Sequence, residues 1–314
     1  MDLSVIIPIY NEELNISLLH SRLKKVIDSL NVSWEFIFIN DGSKDNSLIL
    51  IKELAKNDQR IKYISFSRNF GHQVAVTAGL DACVGDSVVI IDADLQDPPE
   101  LITDLYNKFR EGYDVVYARR KARKGESIMK KITAKIFYRI LKSITSVNIP
   151  VDTGDFRIIS RKIVDILKQM PEKHKYLRGQ ISWAGYNQTF IEYNRDERNA
   201  GKTGYTYKKM MSFAMDGVTS FSNFPLKIVT YAGFLVSLVA FIMIVYALYS
   251  RFITKDYVQG WTSLMISVLF IGGIQLISIG IIGQYLSRIN DNVRNRPLYI
   301  IGETNINNEK KSGE

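Results

Sequence analysis

The chain predicts an α/β protein built on a mainly parallel sheet and followed by amphipathic interface helices and two transmembrane helices. Two observations carry this. From Leu3 to Ala118, near-continuous apolar runs of strand length alternate with stretches whose apolar residues recur at helical spacing. Unbroken apolar strands alternating with helices indicate a parallel sheet covered on both faces. Beyond Pro225 the composition changes, and Ile228–Ser250 and Thr262–Ser287 contain no Asp, Glu, Lys or Arg.

The strands read in order as "LSVIIPIY", "WEFIFIN", "IKYISFS", "DSVVIID" and "YDVVYA". Helical spacing fills Leu14–Leu30, Ser47–Asn57 and Val74–Cys83 between them. In such sheets ligands bind beyond the carboxyl ends of the strands. The places to look are therefore "PIYNEE", "NDGSKDNS", "SRNFGHQ" and "DADLQD". Each also has an ordinary reading. Asn40-Asp41-Gly42-Ser43 suits a turn, Asp45 or Asn46 a helix cap, Arg68-Asn69 a solvated loop and His72 a helix start. Four polar loops on one sheet edge nevertheless make a pocket.

In a chain of net charge +9, the fourth strand ends in four acids, Asp92, Asp94, Asp97 and Glu100, with Gln96 among them. In extended geometry i and i+2 point to one side, so Asp92 and Asp94 converge where one hard divalent cation, Mg²⁺ or Mn²⁺, bridges them. Without a cation, like charges so placed repel and raise one pKa. Asp97, Pro98-Pro99 and Glu100 read as turning the chain into the next helix.

These segments, with "DTGDFR" and "IGIIGQYLSRINDNVRNRPLY", resemble the inverting glycosyltransferases of family 2 that act on polyprenyl phosphates, such as dolichyl-phosphate mannose synthases and bacterial bactoprenol glucosyltransferases. The resemblance runs from about Ser4 to Ile301. It implies a GT-A nucleotide-sugar-binding domain over residues 1–205. It also implies that Pro8, Tyr10, Glu12 and Asp41 line the nucleotide pocket, with Arg195 and Arg198 near the diphosphate. Asp92 and Asp94 become the metal pair, assisted by Gln96, and Asp155 lies near the anomeric carbon and acceptor. The loop at 195–205 departs from the family by reading Thr203-Gly204-Tyr205 where a Ser-Lys-Tyr is expected. The implied reaction moves a hexosyl group, with glucose from UDP-glucose favoured, to undecaprenyl or another polyprenyl phosphate. GDP-mannose or a UDP-amino sugar would use the same residues. A tetramer is implied only by the family. A processive synthase is disfavoured, because the chain lacks a Gln-x-x-Arg-Trp motif and the spans for a channel. A membrane-anchored scaffold that binds a nucleotide sugar without turnover is the reading from another class.

Ile228–Ser250 reaches roughly 34 Å as a helix, enough to cross a core of about 30 Å. Two such runs back to back favour spans at 228–250 and 262–287 over buried core helices. Lys227 and Arg288, Arg294 and Arg296 flank the pair, so the positive-inside rule places both ends in the cytoplasm and residues 251–261 outside, with 288–314 a cytoplasmic tail. The N-terminus lacks a basic n-region, and Val5–Ile9 is too short for a signal peptide. The single cysteine, Cys83, excludes an intramolecular disulfide. Residues 126–144 read as a basic amphipathic helix, either solvated or lying on anionic headgroups, and 206–227 as a juxtamembrane apolar stripe. By resemblance Arg119, Arg123 and Lys130 hold the lipid phosphate. The expected partners are thus a nucleotide sugar, the lipid phosphate and the bilayer, with no nucleic acid.

Overall fold

The computed structural model describes residues 1–121, 153–194, 224–249, 253 and 260–306. Five strands form where the apolar runs predict them: β1 (Leu3–Ile9), β2 (Trp34–Asn40), β3 (Ile61–Phe66), β4 (Ser87–Ile90) and β5 (Val115–Arg120). The helices between them are α1 (Glu13–Asp28), α2 (Ser47–Asn57), α3 (His72–Ala82) and α4 (Leu101–Arg110). Then follow β6 (Thr153–Ser160), α5 (Arg161–Gln169), α6 (Leu177–Ala184), β7 (Gln188–Tyr193), α7 (Phe224–Tyr249), α8 (Trp261–Val293) and β8 (Ile301–Thr304).

All eight strands join one sheet in the order β7-β5-β6-β4-β1-β2-β3-β8. The pairs β1–β2, β1–β4, β2–β3 and β5–β7 are parallel, whereas β6 runs antiparallel to both β4 and β5, and β8 antiparallel to β3. Every residue of β1 and β2 is buried, as expected for strands covered on both sides. Alternation along β1 sends Leu3, Val5, Ile7 and Ile9 into the core under α1 and α4, and Ile6 into the core under α3, α5 and α6. At the carboxyl edge Gly42, at φ +66°, has no room for a side chain: a Cβ would sit 2.5 Å from the carbonyl carbon of Arg68. The second and third strand-end loops are thereby held backbone to backbone.

Helices α7 and α8 extend about 39 and 50 Å at about 1.5 Å per residue. Both expose large apolar side chains, among them Phe234, Leu238, Leu276 and Ile277. Among the described residues one window, Phe270–Val293, is long and apolar enough to cross a membrane. Beyond α8 the chain returns to the sheet domain. Lys173 donates its backbone N–H to Asn292 and its Nζ to the carbonyl of Arg296, while His174 Nε2 lies 3.2 Å from Asp291 Oδ2. Tyr299 stacks on Phe66 with ring centroids 5.0 Å apart and donates its hydroxyl to Asp81. Strand β8 then closes the free edge of β3. The expected helix at 126–144, most of the stripe at 206–227 and most of the connector at 251–261 lie outside the described residues.

Candidate active site

The first two loops at the carboxyl edge are laced together by short polar side chains. The backbone N–H groups of Asn11 and Glu12 donate to the hydroxyls of Ser43 and Ser47, and Lys44 N–H donates to Asn11 Oδ1. Asn11 reaches this position at φ +56°, which asparagine tolerates better than most residues. Pro8 is buried, Tyr10 is exposed, and Glu12 accepts from Asn15 Nδ2 at 2.6 Å. Asp41 is buried, and its two carboxylate oxygens accept the backbone N–H groups of Phe70 and Gly71 at 2.6 and 2.9 Å. Burial pushes its carboxyl up despite these two donors. Of the residues expected in the nucleotide pocket, Pro8, Tyr10, Glu12 and Asp41 therefore share this edge, and Asp41 is also the clamp on the third loop.

Strand β4 stops at Ile90, so Asp92 lies just beyond the strand and Asp94 in the turn that follows, not both in strand backbone. That corrects the geometry expected for the pair. Leu95 turns the chain at φ +59°, a costly conformation for a branched, buried side chain. Asp94 is 7% exposed and its Oδ1 accepts the Gln96 N–H at 3.2 Å. Asp92 presents a buried Oδ1 with no hydrogen-bond donor, and His72 Nε2 approaches it only to 3.6 Å. Burial, with Asp155, Asp97 and Asp94 nearby, raises the Asp92 carboxyl to about 6 although His72 opposes the shift. Asp97, just before the chain turns through Pro98-Pro99 into α4, is fully buried.

Asp155, on β6, is the best-connected carboxylate of the site. Its Oδ1 takes Arg157 Nη2 at 3.0 Å and Arg178 Nε at 3.1 Å; its Oδ2 takes His72 Nε2 at 3.0 Å and Gln73 Nε2 at 3.3 Å. Burial alone would raise its pKa, but Arg178, His72 and Arg157 hold it well below the usual carboxylate range. Crowding by protein atoms disfavours a charged His72, yet Asp92 and Asp155 outweigh that and raise it to about 9. An imidazolium thus stands between the end of β4 and the start of β6. Gln73 extends the network by accepting the N–H of Leu177 at the start of α6.

The four donors to Asp155 were not legible as a set. His72 and Gln73 lie in the strand-end loop "SRNFGHQ" without a role given to either, Arg157 sat unremarked inside "DTGDFR", and Arg178 carried no motif of its own. Arg119 lies at the end of β5, where it pairs with Glu192 and its guanidinium rests 3.4 Å over the Phe190 ring. Arg123, Lys130, Arg195 and Arg198 lie outside the described residues.

Among the described residues no three His, Cys, Asp or Glu side chains form a metal-holding group. The donor set of Asp92 and Asp94 still fits a hard divalent cation, because it offers carboxylate oxygens, one of them lacking a donor.

The family model described as "Glycosyl transferase family 2" matches residues 4–167, and one described as "GtrB C-terminal hairpin" matches residues 224–289. The chain is 50% identical to "Uncharacterized glycosyltransferase YkcC" of Bacillus subtilis (strain 168), covering 95% of this chain and 92% of that one. It is 40% identical to "Prophage bactoprenol glucosyl transferase homolog" of Escherichia coli (strain K12), covering 96% and 98%. A solved glucosyl-3-phosphoglycerate synthase from Mycobacterium tuberculosis, in complex with Mn²⁺, UDP and phosphoglyceric acid, superposes with a TM-score of 0.47 at 18% identity, covering 69% of this chain and 76% of that one. Matched over half its length by the family model and over nearly all of it by such relatives, the chain belongs to glycosyl transferase family 2.

Proposed function

We propose that the protein transfers one hexosyl group, glucose from UDP-glucose by preference, to undecaprenyl or a similar polyprenyl phosphate, with inversion. The observation that carries this reading is the saturation of Asp155 by His72, Gln73, Arg157 and Arg178. A hydroxyl acceptor needs a general base, whereas a phosphate monoester with a second pKa near about 6 is already mostly dianionic at pH 7. A carboxylate held permanently ionised by three cationic side chains is a poor base and a good electrostatic group. In this reading a phosphate oxygen of the acceptor bonds to the anomeric carbon as the bond from that carbon to the nucleoside diphosphate breaks. Asp155 orients the sugar and offsets positive charge developing at the anomeric carbon. A divalent cation bound by Asp92 and Asp94 would neutralise the leaving diphosphate. Pro8, Tyr10, Glu12 and Asp41, with Arg195 and Arg198, face the nucleotide, and Gln96 stands beside the diphosphate. Arg119, Arg123 and Lys130 receive the lipid phosphate, and Arg119 must exchange Glu192 for that ligand.

The names of the bactoprenol glucosyl transferase relatives support this acceptor and sugar. The hairpin match over residues 224–289 supports two spans, α7 and α8, and the cationic flanks Lys227, Arg288, Arg294 and Arg296 support a cytoplasmic catalytic domain. A donor screen with purified full-length protein, undecaprenyl phosphate and Mn²⁺ or Mg²⁺ tests it, reading lipid-linked sugar by mass. Transfer from GDP-mannose or a UDP-amino sugar alone would revise the donor. No turnover with any donor would leave the scaffold reading in its place.

A further inference from the structure

One buried polar cluster has no part in the mechanism above. Asp97 is 0% exposed and Tyr193, the last residue of β7, is 6% exposed. The Tyr193 hydroxyl donates to Asp97 Oδ1 and accepts from Arg120 Nε at 3.3 Å, and Arg120 Nη2 lies 3.6 Å from Asp97 Oδ2. Burial and the adjoining carboxylate push the Tyr193 hydroxyl up, so it remains a donor at neutral pH. Arg120 and Tyr193 are register partners at the ends of β5 and β7, and Lys121 N–H donates to the Tyr193 carbonyl at 2.9 Å. The fit is specific to this place. A Cβ on Gly154, one residue before Asp155, would meet Arg120 Nη2 at 2.7 Å, so β6 leaves space for the guanidinium.

The cluster sits where three parts of the site meet. Asp97 ends the loop that carries Asp92, Asp94 and Gln96, while Arg120 and Tyr193 end the two strands from which the chain leaves toward Arg123 and Arg195. Leu95 gives that loop a costly backbone conformation, which persists only when the surroundings over-determine it. A carboxylate buried against an arginine from β5 and a tyrosine from β7 provides that constraint.

We propose that Asp97 is a positioning residue, which through Tyr193 and Arg120 fixes the Asp92–Gln96 loop to the paired ends of β5 and β7 so that the nucleotide diphosphate meets one preset arrangement. The proposal rests on the glycosyl-transfer reading for its kinetic consequence but not for its structural one. The test compares the full-length wild type with Tyr193→Phe, which keeps the ring and removes the hydroxyl. Amide hydrogen exchange over residues 92–98 is expected to quicken about tenfold, the worth of one buried hydrogen bond, with β1 and β2 unchanged. The KM for the nucleotide sugar is expected to rise about tenfold with kcat within about threefold, the signature of lost binding geometry. Asp97→Asn should show the same pattern more strongly, and if it does not fold, Tyr193→Phe alone decides. Unchanged exchange over 92–98 overturns the proposal, as does a variant whose only change is a uniformly lower melting temperature with KM intact. If the wild type moves no sugar, the glycosyl-transfer reading falls and the exchange measurement decides the anchor by itself.

Discussion

His72 and Asp155 show how much of a site can depend on residues that look ordinary in isolation. An imidazolium placed 3.0 Å from one carboxylate and 3.6 Å from another holds the ends of β4 and β6 at a fixed spacing. Arg157, 1% exposed, adds a buried charge whose carboxylate partner among the described residues is Asp155. Arg157→Met removes one charge-assisted hydrogen bond to Asp155 that His72 and Arg178 only partly replace, so it should destabilise the protein by about 2 kcal/mol, measured by thermal unfolding in detergent. The sign of the Asp155 shift fixes a second expectation. Its folded pKa is depressed, so its stabilising contribution is complete above the unfolded value near about 3.9 and is lost as pH falls through the folded one. The carboxylate therefore stays ionised across the working range, and Asp155→Asn should lower kcat while leaving the acid limb of the pH profile in place. Disappearance of that limb would identify Asp155 as a base instead. Asp94→Ala should cut transfer by about 100-fold without rescue by excess Mn²⁺, read as lipid-linked sugar formed. Asp92 and Asp94 stood out because their motif leaves a strand end, where position alone suggests a role, whereas Asp155 was named only through the family resemblance of "DTGDFR". Of the partners that set the charge of Asp155, Arg157 stands two residues along β6, whereas His72 from α3 and Arg178 from α6 meet it only in three dimensions.

At the level of elements, β1 to β5 were legible because each is an unbroken apolar run that must be covered on both faces. Strand β6 was not read, since "TGDFRIIS" opens with polar residues and reaches its neighbours from the opposite direction. That reversal has a chemical result: it carries Asp155 to the same sheet edge as Asp92 although β6 follows β5 by a long excursion. Strand β8 escaped for another reason, being four residues long and largely exposed. Its hold on the domain comes from side chains around it. Tyr299 supplies a ring stack and a hydroxyl to Asp81, so Tyr299→Ala should destabilise the catalytic domain by about 2 kcal/mol, whereas Tyr299→Phe should cost about 1 kcal/mol. Equal melting temperatures for the two variants would show that the stack contributes nothing.

For the whole molecule, the contacts of Lys173 and His174 with residues 291–296 tie the exit of α8 to the segment that leads into α6 and Arg178. The catalytic edge and the end of the membrane-length helix thus lie on one side. If α7 and α8 both span, a cysteine placed at Asp256 should react with an impermeant maleimide on intact cells, and one at Gly313 only after lysis. Native Cys83 is buried, with its thiol pushed up by that burial, and should contribute little background. Labelling of both positions on intact cells would rule out the hairpin.

Strand β8 also sets a timetable. Its Asn305 and Thr304 bond to Tyr63 across more than 240 positions of chain. At translation speeds of about 5–20 residues per second, roughly 12 to 50 s separate the synthesis of β3 from that of its last neighbour. Throughout that interval the β3 edge is an open template for pairing with another chain. The two long apolar helices emerge from the ribosome in the same interval. If both helices span, prompt membrane insertion delivers the closing strand to the nascent domain, and a delay there should appear first as aggregation through β3.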